Sequence, residues 1–177
     1  MRLFIAIELP DALREPLRRS LDPLEQGWTR GRCLDPAGYH LTLAFLGEQP
    51  WERLEAVTQA MDRCGGPAFR AHIGGWGLFP QRSGGVLWRQ VLAPELEGMQ
   101  EKLTRELDRA GFALETQPFA PHITLARRVE LPPELERNLS TLAPQPLRFP
   151  VEGMSLMCSR LSQQGASYQR LYWKKFD

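Results

Sequence analysis

From Leu3 to Leu9 the chain is apolar apart from Glu8, and Pro10-Asp11 closes the run, the pattern of a buried strand. Leu13, Leu17, Leu21 and Leu24 then recur at helical spacing. Asp11 is placed to cap that helix, and Pro16 should kink it or delay its start. Residues 26 to 38 hold Gly27, Gly31, Pro36 and Gly38 and read as a loop carrying Trp28, Arg30 and Arg32. Tyr39 to Phe45 alternates as a strand that ends at Gly47. Pro50 suits the first turn of a helix with Leu54, Val57, Met61 and Cys64 on its buried stripe, stopped by Gly65-Gly66-Pro67. Phe69 to Leu78 follows as a glycine-interrupted strand, then a loop from Pro80 to Gly85.

The order then starts again. Val86 to Leu92 is a strand ending in Ala93-Pro94, and a helix shows Leu96, Met99, Leu103, Leu107 and Ala110 on one face with Gly111 as its stop. Pro121-His122-Ile123-Thr124-Leu125-Ala126 repeats the His-apolar-Thr-Leu-Ala of the first half, 82 residues downstream. Pro132-Pro133 opens a short helix through Leu135, Leu139 and Leu142. Leu147 to Met157 corresponds to Phe69 to Leu78, and a strand from Tyr168 to Phe176 closes the chain. Offsets of about 84, 82 and 78 residues for Pro10, His40 and Phe69 describe an internal duplication, with approximate repeats 1–80 and 86–177.

We therefore expect one bilobal α+β domain over residues 1–177. Its two pseudo-twofold-related lobes would each be an antiparallel sheet with helices packed outside, one His-x-Thr strand per lobe lining a central cleft. A parallel doubly wound sheet ranks second, because no glycine-rich strand-to-helix turn supports it.

A net charge of +1 and a pI near 7.8 exclude nucleic-acid binding through bulk positive charge. They leave room for a small local phosphate site, with few phosphate contacts and a shallow salt dependence. Cys33, Cys64 and Cys158 are odd in number and contain no Cys-x-x-Cys, which suits a reducing cytoplasm rather than a disulfide framework or zinc knuckle. The N-terminal apolar run is too short for a signal peptide, and no run of about 18 apolar residues predicts a membrane span. Cytoplasmic localisation, no membrane association and a monomer are the expectations.

Two of the three histidines thus occupy the same place in a duplicated strand. Facing imidazoles suit an in-line displacement at phosphorus, one taking a proton from the attacking oxygen and the other giving one to the leaving oxygen. A reference pKa of about 6.5 lets both protonation states coexist near neutrality, and each role typically contributes about 10²–10⁴-fold. Thr42 and Thr124, two residues on and on the same face, can donate hydroxyl hydrogen bonds to non-bridging oxygens. His72 has no such setting and reads as an ordinary strand residue. Metal ligation has weak support: no His-x-His or His-x-x-x-His pair occurs, so neither a metal nor another cofactor is expected.

The pair His40-Leu41-Thr42-Leu43 and His122-Ile123-Thr124-Leu125 resembles the twin His-x-Thr-x motifs of the two-histidine (2H) phosphoesterases. With Arg2-Leu3-Phe4-Ile5-Ala6-Ile7, His40 to Gly47, Val86-Leu87-Trp88 and Pro121 to Arg127, the chain is similar to the LigT-type RNA 2′,3′-cyclic phosphodiesterases, also called 2′-5′ RNA ligases. The resemblance implies metal-independent opening of RNA 2′,3′-cyclic phosphate ends to 2′-phosphomonoesters, tRNA fragments among the candidate substrates. It also implies His122 as proton acceptor and His40 as proton donor; the sequence itself is nearly symmetric about these roles. By the same resemblance Phe45 would stack on a base and Arg127 would meet phosphate or base. Strict alternation puts both on the wrong face, so a bulge after the shared Leu-Ala is required, and Arg128 has the better parity. Trp76 and Trp88 read as core aromatics between the lobes. The competing functions are 2′-5′ joining of tRNA halves, a non-catalytic RNA- or nucleotide-binding module, and a metal-dependent phosphatase.

Overall fold

The apolar runs become strands, and in the computed structural model, which describes residues 1–162 and 165–177, those strands form one antiparallel sheet. The strands are β1 (Arg2–Glu8), β2 (Arg30–Cys33), β3 (His40–Glu48), β4 (Phe69–Phe79) and β5 (Gly85–Leu92). They continue with β6 (His122–Glu130), β7 (Leu147–Val151), β8 (Gly153–Ser162) and β9 (Gly165–Lys175). Their order is β7-β4-β5-β6-β3-β1-β8-β9, with β2 also pairing β6.

The seam of this sheet lies between β3 and β6, which pair at Leu41 opposite Ile123. Outward from the seam both sides read alike: β3-β1-β8-β9 on one, β6-β5-β4-β7 on the other. This is the pseudo-twofold arrangement of two lobes. Each lobe nevertheless holds strands from both ends of the chain, because β4 crosses to pair β5 and β8 returns to pair β1.

Helices α1 (Asp11–Arg19), α2 (Asp22–Glu25), α3 (Leu54–Asp62), α4 (Glu95–Arg109) and α5 (Pro133–Asn138) supply the outer layer. Their apolar positions, among them Leu17, Leu24, Val57, Met61, Leu103 and Leu107, share one buried cluster with Leu41, Leu43, Ile123 and Leu125. A fully buried leucine of this kind contributes about 1.5–3 kcal/mol by leaving water. Gly111, at φ +78, takes the left-handed turn that stops α4, a conformation other residues adopt at a cost.

Three local expectations change. Residues 30–33 form a strand, although Arg-Gly-Arg-Cys has no apolar period, because pairing with β6 supplies the order: Thr29 N–H reaches the Glu130 carbonyl at 2.9 Å. Leu147 to Met157 is two strands, β7 and β8, at opposite sides of the sheet. Pro150 in β7 lacks a ladder donor and is tolerated because β7 is an edge strand. The cap of α1 is Pro10, and Asp11 lies inside the first turn, bonded to Arg14 at 2.9 Å. Pro16 sits within α1 on its exposed side, where solvent can reach the carbonyl of Ala12 that loses its partner. No described helix is long and apolar enough to cross a membrane.

Candidate active site

Because β3 and β6 meet through the fully buried Leu41 and Ile123, their neighbours in sequence point to the opposite face. That puts His40 and Thr42 beside His122 and Thr124, all half-buried, in a cleft of about 960 Å³. Phe45 and Arg127 line the same cleft.

The two imidazoles are held identically. Nδ1 of His40 lies 2.7 Å from the Gly38 carbonyl, and Nδ1 of His122 lies 2.6 Å from the Ala120 carbonyl. A carbonyl only accepts, so each Nδ1 carries the donated hydrogen and each Nε2 is left to exchange protons. Aromatic walls fix the rings. Phe4 (4.8 Å between centroids) and Tyr168 (5.2 Å, edge-on) flank His40. Phe79 (5.0 Å, edge-on) and Trp88 (5.7 Å) flank His122. Trp76 is buried as expected, but Trp88 belongs to this wall rather than to the core. Its ring passes so close to Gly77 that a Cβ there would sit 2.0 Å away.

Phe45 and Arg127 reach the cleft through matching bulges. Opposite β1, Thr42 faces Ala6 and Ala44 faces Ile5, so Leu43 is the extra residue. Opposite β5, Thr124 faces Trp88 and Ala126 faces Leu87, so Leu125 is extra. The leucine after the threonine is the inserted residue in both strands, and each resets the alternation after it. The displaced carbonyls keep partners: Gln100 Nε2 of α4 donates to Leu43 O at 3.3 Å, and the Leu34 N–H donates to Leu125 O at 2.9 Å. Arg128 takes a left-handed backbone (φ +54) and is not among the cleft-lining residues.

Burial is the largest influence on both imidazoles and pushes both pKa values below 6.5. Their backbone hydrogen bonds work the other way, and the Arg127 guanidinium lowers both. His40 is lowered further by His122 and raised by Glu8. Glu8 stands opposite His40 in the β1–β3 ladder, whereas Gln90 stands opposite His122. Glu8 in turn accepts from the Ser155 hydroxyl and from Arg170 Nη1 at 3.1 Å.

Other candidates lie elsewhere. His72 is on β4, opposite Leu92 and Arg148. Arg30 pairs with Glu130 at 2.6 Å, and Trp28 packs against the core. Among the described residues no three of His, Cys, Asp and Glu converge as a metal site. Sequence reasoning missed Phe4, Phe79, Tyr168 and Glu8. One signal was available: Phe4 and Trp88 share the offset of 84 that relates Pro10 to Pro94.

Comparison with known proteins agrees with this geometry. The sequence profile of the 2′-5′ RNA ligase superfamily matches residues 6–161. An RNA 2′,3′-cyclic phosphodiesterase of Thermus thermophilus is 33% identical over 180 residues, covering 95% of this chain and 86% of that protein. The Escherichia coli RNA 2′,3′-cyclic phosphodiesterase is 33% identical over 141 residues, covering 75% and 77%. The crystal structure of E. coli LigT complexed with 3′-AMP superposes with a TM-score of 0.80 at 28% identity, over 99% of this chain and 97% of that one. A cleft built on two His-x-Thr strands, and likeness along nearly the whole length, make this chain a member of the 2′-5′ RNA ligase superfamily.

Proposed function

We propose that this protein hydrolyses RNA 2′,3′-cyclic phosphodiester ends to 2′-phosphomonoesters, with His122 as the base and His40 as the acid. Water attacks phosphorus and gives a proton to Nε2 of His122. The bond from phosphorus to O3′ breaks, and Nε2–H of His40 protonates that oxygen, leaving a 3′-hydroxyl and a 2′-phosphate. The observation that carries the reading is the pair of imidazoles in one cleft, each with Nδ1 committed to a backbone carbonyl.

Thr42 and Thr124 donate to the non-bridging oxygens as charge builds there. Arg127 adds a cationic donor for the phosphate, and half-exposed Phe45 offers a face for the terminal base. The neighbours support this division of labour. Glu8 favours a charged His40, and His122 has a neutral amide, Gln90, in the matching position. The named relatives act on RNA 2′,3′-cyclic phosphates, which supports the substrate class. The substrate is an RNA end, tRNA fragments included, and the enzyme acts as a cytoplasmic monomer: one chain supplies every group named, and its three cysteines are free thiols.

The test is a cyclic-phosphate hydrolysis assay in EDTA on the parent and on His40→Ala and His122→Ala. Activity in EDTA that each substitution abolishes is expected. Two single variants turning over at the parent rate would overturn the assignment, and activity restored only by a divalent ion would replace it with metal catalysis. Faster joining to a 5′-hydroxyl RNA than hydrolysis would make ligation the main reaction.

A further inference from the structure

Tyr168, edge-on to His40 at 5.2 Å, begins a row of side chains that leads away from the cleft along β9. Tyr168, Arg170, Trp173 and Lys175 stand opposite Ser159, Met157, Ser155 and Gly153 of β8. Leu171 is the extra residue of a bulge between Arg170 and Tyr172, so Trp173 and Lys175 share the face of Tyr168 and Arg170. Tyr172 turns to the other side, where its hydroxyl donates to Asp62 at 2.6 Å. The row lies on the side of the sheet that carries His40: Arg170 Nη1 and the Ser155 hydroxyl both donate to Glu8, which stands opposite His40.

Two aromatic rings and two cations alternate along this row, and all four are open to solvent. Tyr168 is 37% exposed and Trp173 44%, and the Arg170 side chain stays more than half exposed despite its bond to Glu8. The Trp173 indole passes so close to Gly153 that a Cβ there would meet its Nε1 at 2.6 Å, so glycine at that position leaves the ring its place. The outer strand of the other lobe differs: β7 turns its ring, Phe149, fully into the core. Exposed rings on which bases can stack, interleaved with cations, are the pattern of a single-stranded nucleic-acid track.

The direction of the chemistry selects this lobe. Attacking and leaving oxygens lie roughly in line through phosphorus. Water attacks from the His122 side and O3′ departs toward His40, which puts the ribose on the His40 side. The strand attached at its 5′ carbon then leaves over β3, β1, β8 and β9.

We infer that the β9 row is the track for the RNA strand immediately 5′ to the cyclic phosphate, an inference that rests on the roles proposed for His40 and His122. Bases stack on Tyr168 and Trp173, and phosphates meet Arg170 and Lys175. From Ser159 to Ser155 the paired strand advances about 14 Å, at about 3.4 Å per residue. At a stacked spacing of about 3.4 Å per nucleotide, this row serves up to about four nucleotides.

Hydrolysis is measured with adenosine 2′,3′-cyclic phosphate and with a hexaadenylate ending in the same group, and binding with the inert 2′-phosphate forms of both. The parent is expected to open the hexamer with a kcat/KM at least about tenfold above that of the mononucleotide, and to bind the hexamer more tightly by a similar factor. Trp173→Ala should weaken hexamer binding at least about fivefold, the loss of one stacked base, and cut the hexamer's advantage in kcat/KM by the same factor. Lys175→Gln should reduce the slope of log Kd against log salt by about 0.7, one phosphate contact on a single strand. Hexamer binding unchanged in both variants, or no tighter than that of the mononucleotide, would overturn the track. So would a dimer in sedimentation that Trp173→Ala dissociates with hexamer affinity unchanged, which would give the face to a second copy of this chain. If both cyclic phosphates are opened and the variants match the parent, hydrolysis stands and the track fails. If neither is opened, the proposed hydrolysis fails and the binding comparison decides the track.

Discussion

Glu8 and His40 face each other across the β1–β3 ladder, and this pairing has no acidic counterpart in the other lobe, where Gln90 faces His122. A near-symmetric site is made asymmetric by one carboxylate. Opposed residues in an antiparallel ladder have their Cβ atoms about 4.5–5.5 Å apart, so the carboxylate acts on His40 at short range.

Glu8→Gln should therefore move the basic limb of the kcat/KM profile, which reports the acid, toward lower pH. The rate at about pH 8 falls more than the rate at about pH 6. Gln90→Glu should move the acidic limb upward by favouring a charged His122. If the limbs of both variants coincide with those of the parent, the asymmetry does not set the roles.

Burial makes the free enzyme favour two neutral imidazoles, so the unliganded site binds protons below its ordinary range. The kcat/KM optimum should accordingly lie on the acidic side of 6.5. A substrate phosphate favours the protonated forms, so the kcat profile should be displaced to higher pH than the kcat/KM profile. Coincident profiles would contradict this.

The same depression couples to folding. Each imidazole binds its proton more weakly folded than unfolded, so below 6.5 the unfolded chain takes up more protons. Stability from this source is fully present above that pH and is lost as pH falls through and below it. Urea midpoints between about pH 7.5 and 5.5 should fall more steeply for the parent than for the His40→Asn/His122→Asn double variant. Equal slopes would count against buried neutral histidines.

Thr42→Ala and Thr124→Ala each remove one of the cleft hydroxyls proposed to donate to the reacting phosphate. Each should lower kcat by about 10²-fold while changing KM much less. A rise in KM with kcat unchanged would make the threonines ground-state binders.

The bulge at Leu125 separates two adjacent arginines. Arg127→Ala should raise KM for a cyclic-phosphate substrate, whereas Arg128→Ala should not. Arg128→Gly, at φ +54, relieves a left-handed conformation and should change stability by less than about 1 kcal/mol in either direction, since glycine also loosens the unfolded chain. Equal effects of the two alanine variants on KM would mean that the alternation is not reset.

Much of this was legible along the chain because it is periodic. Alternation places His40 with Thr42 and His122 with Thr124 on one face, and the repeat marks both strands as one design used twice. Apolar stripes, prolines and glycines locate most elements within a few residues, because these depend on local spacing and backbone chemistry.

Tertiary structure decided the rest. Strands β4, β8 and β9 sit in lobes that their place in the sequence does not indicate, and β2 exists because β6 is there to hydrogen-bond it. Phe45 and Arg127 face the cleft only because bulged leucines find partners for their displaced carbonyls in Gln100 and Leu34, residues far away in the chain. Glu8, Phe4 and Tyr168 became neighbours of His40 through ladder registers. Periodicity acts between residues a few positions apart and is written in the order of the amino acids. Register, crossover and bulge are settled by contacts between distant segments and exist only once the chain has folded.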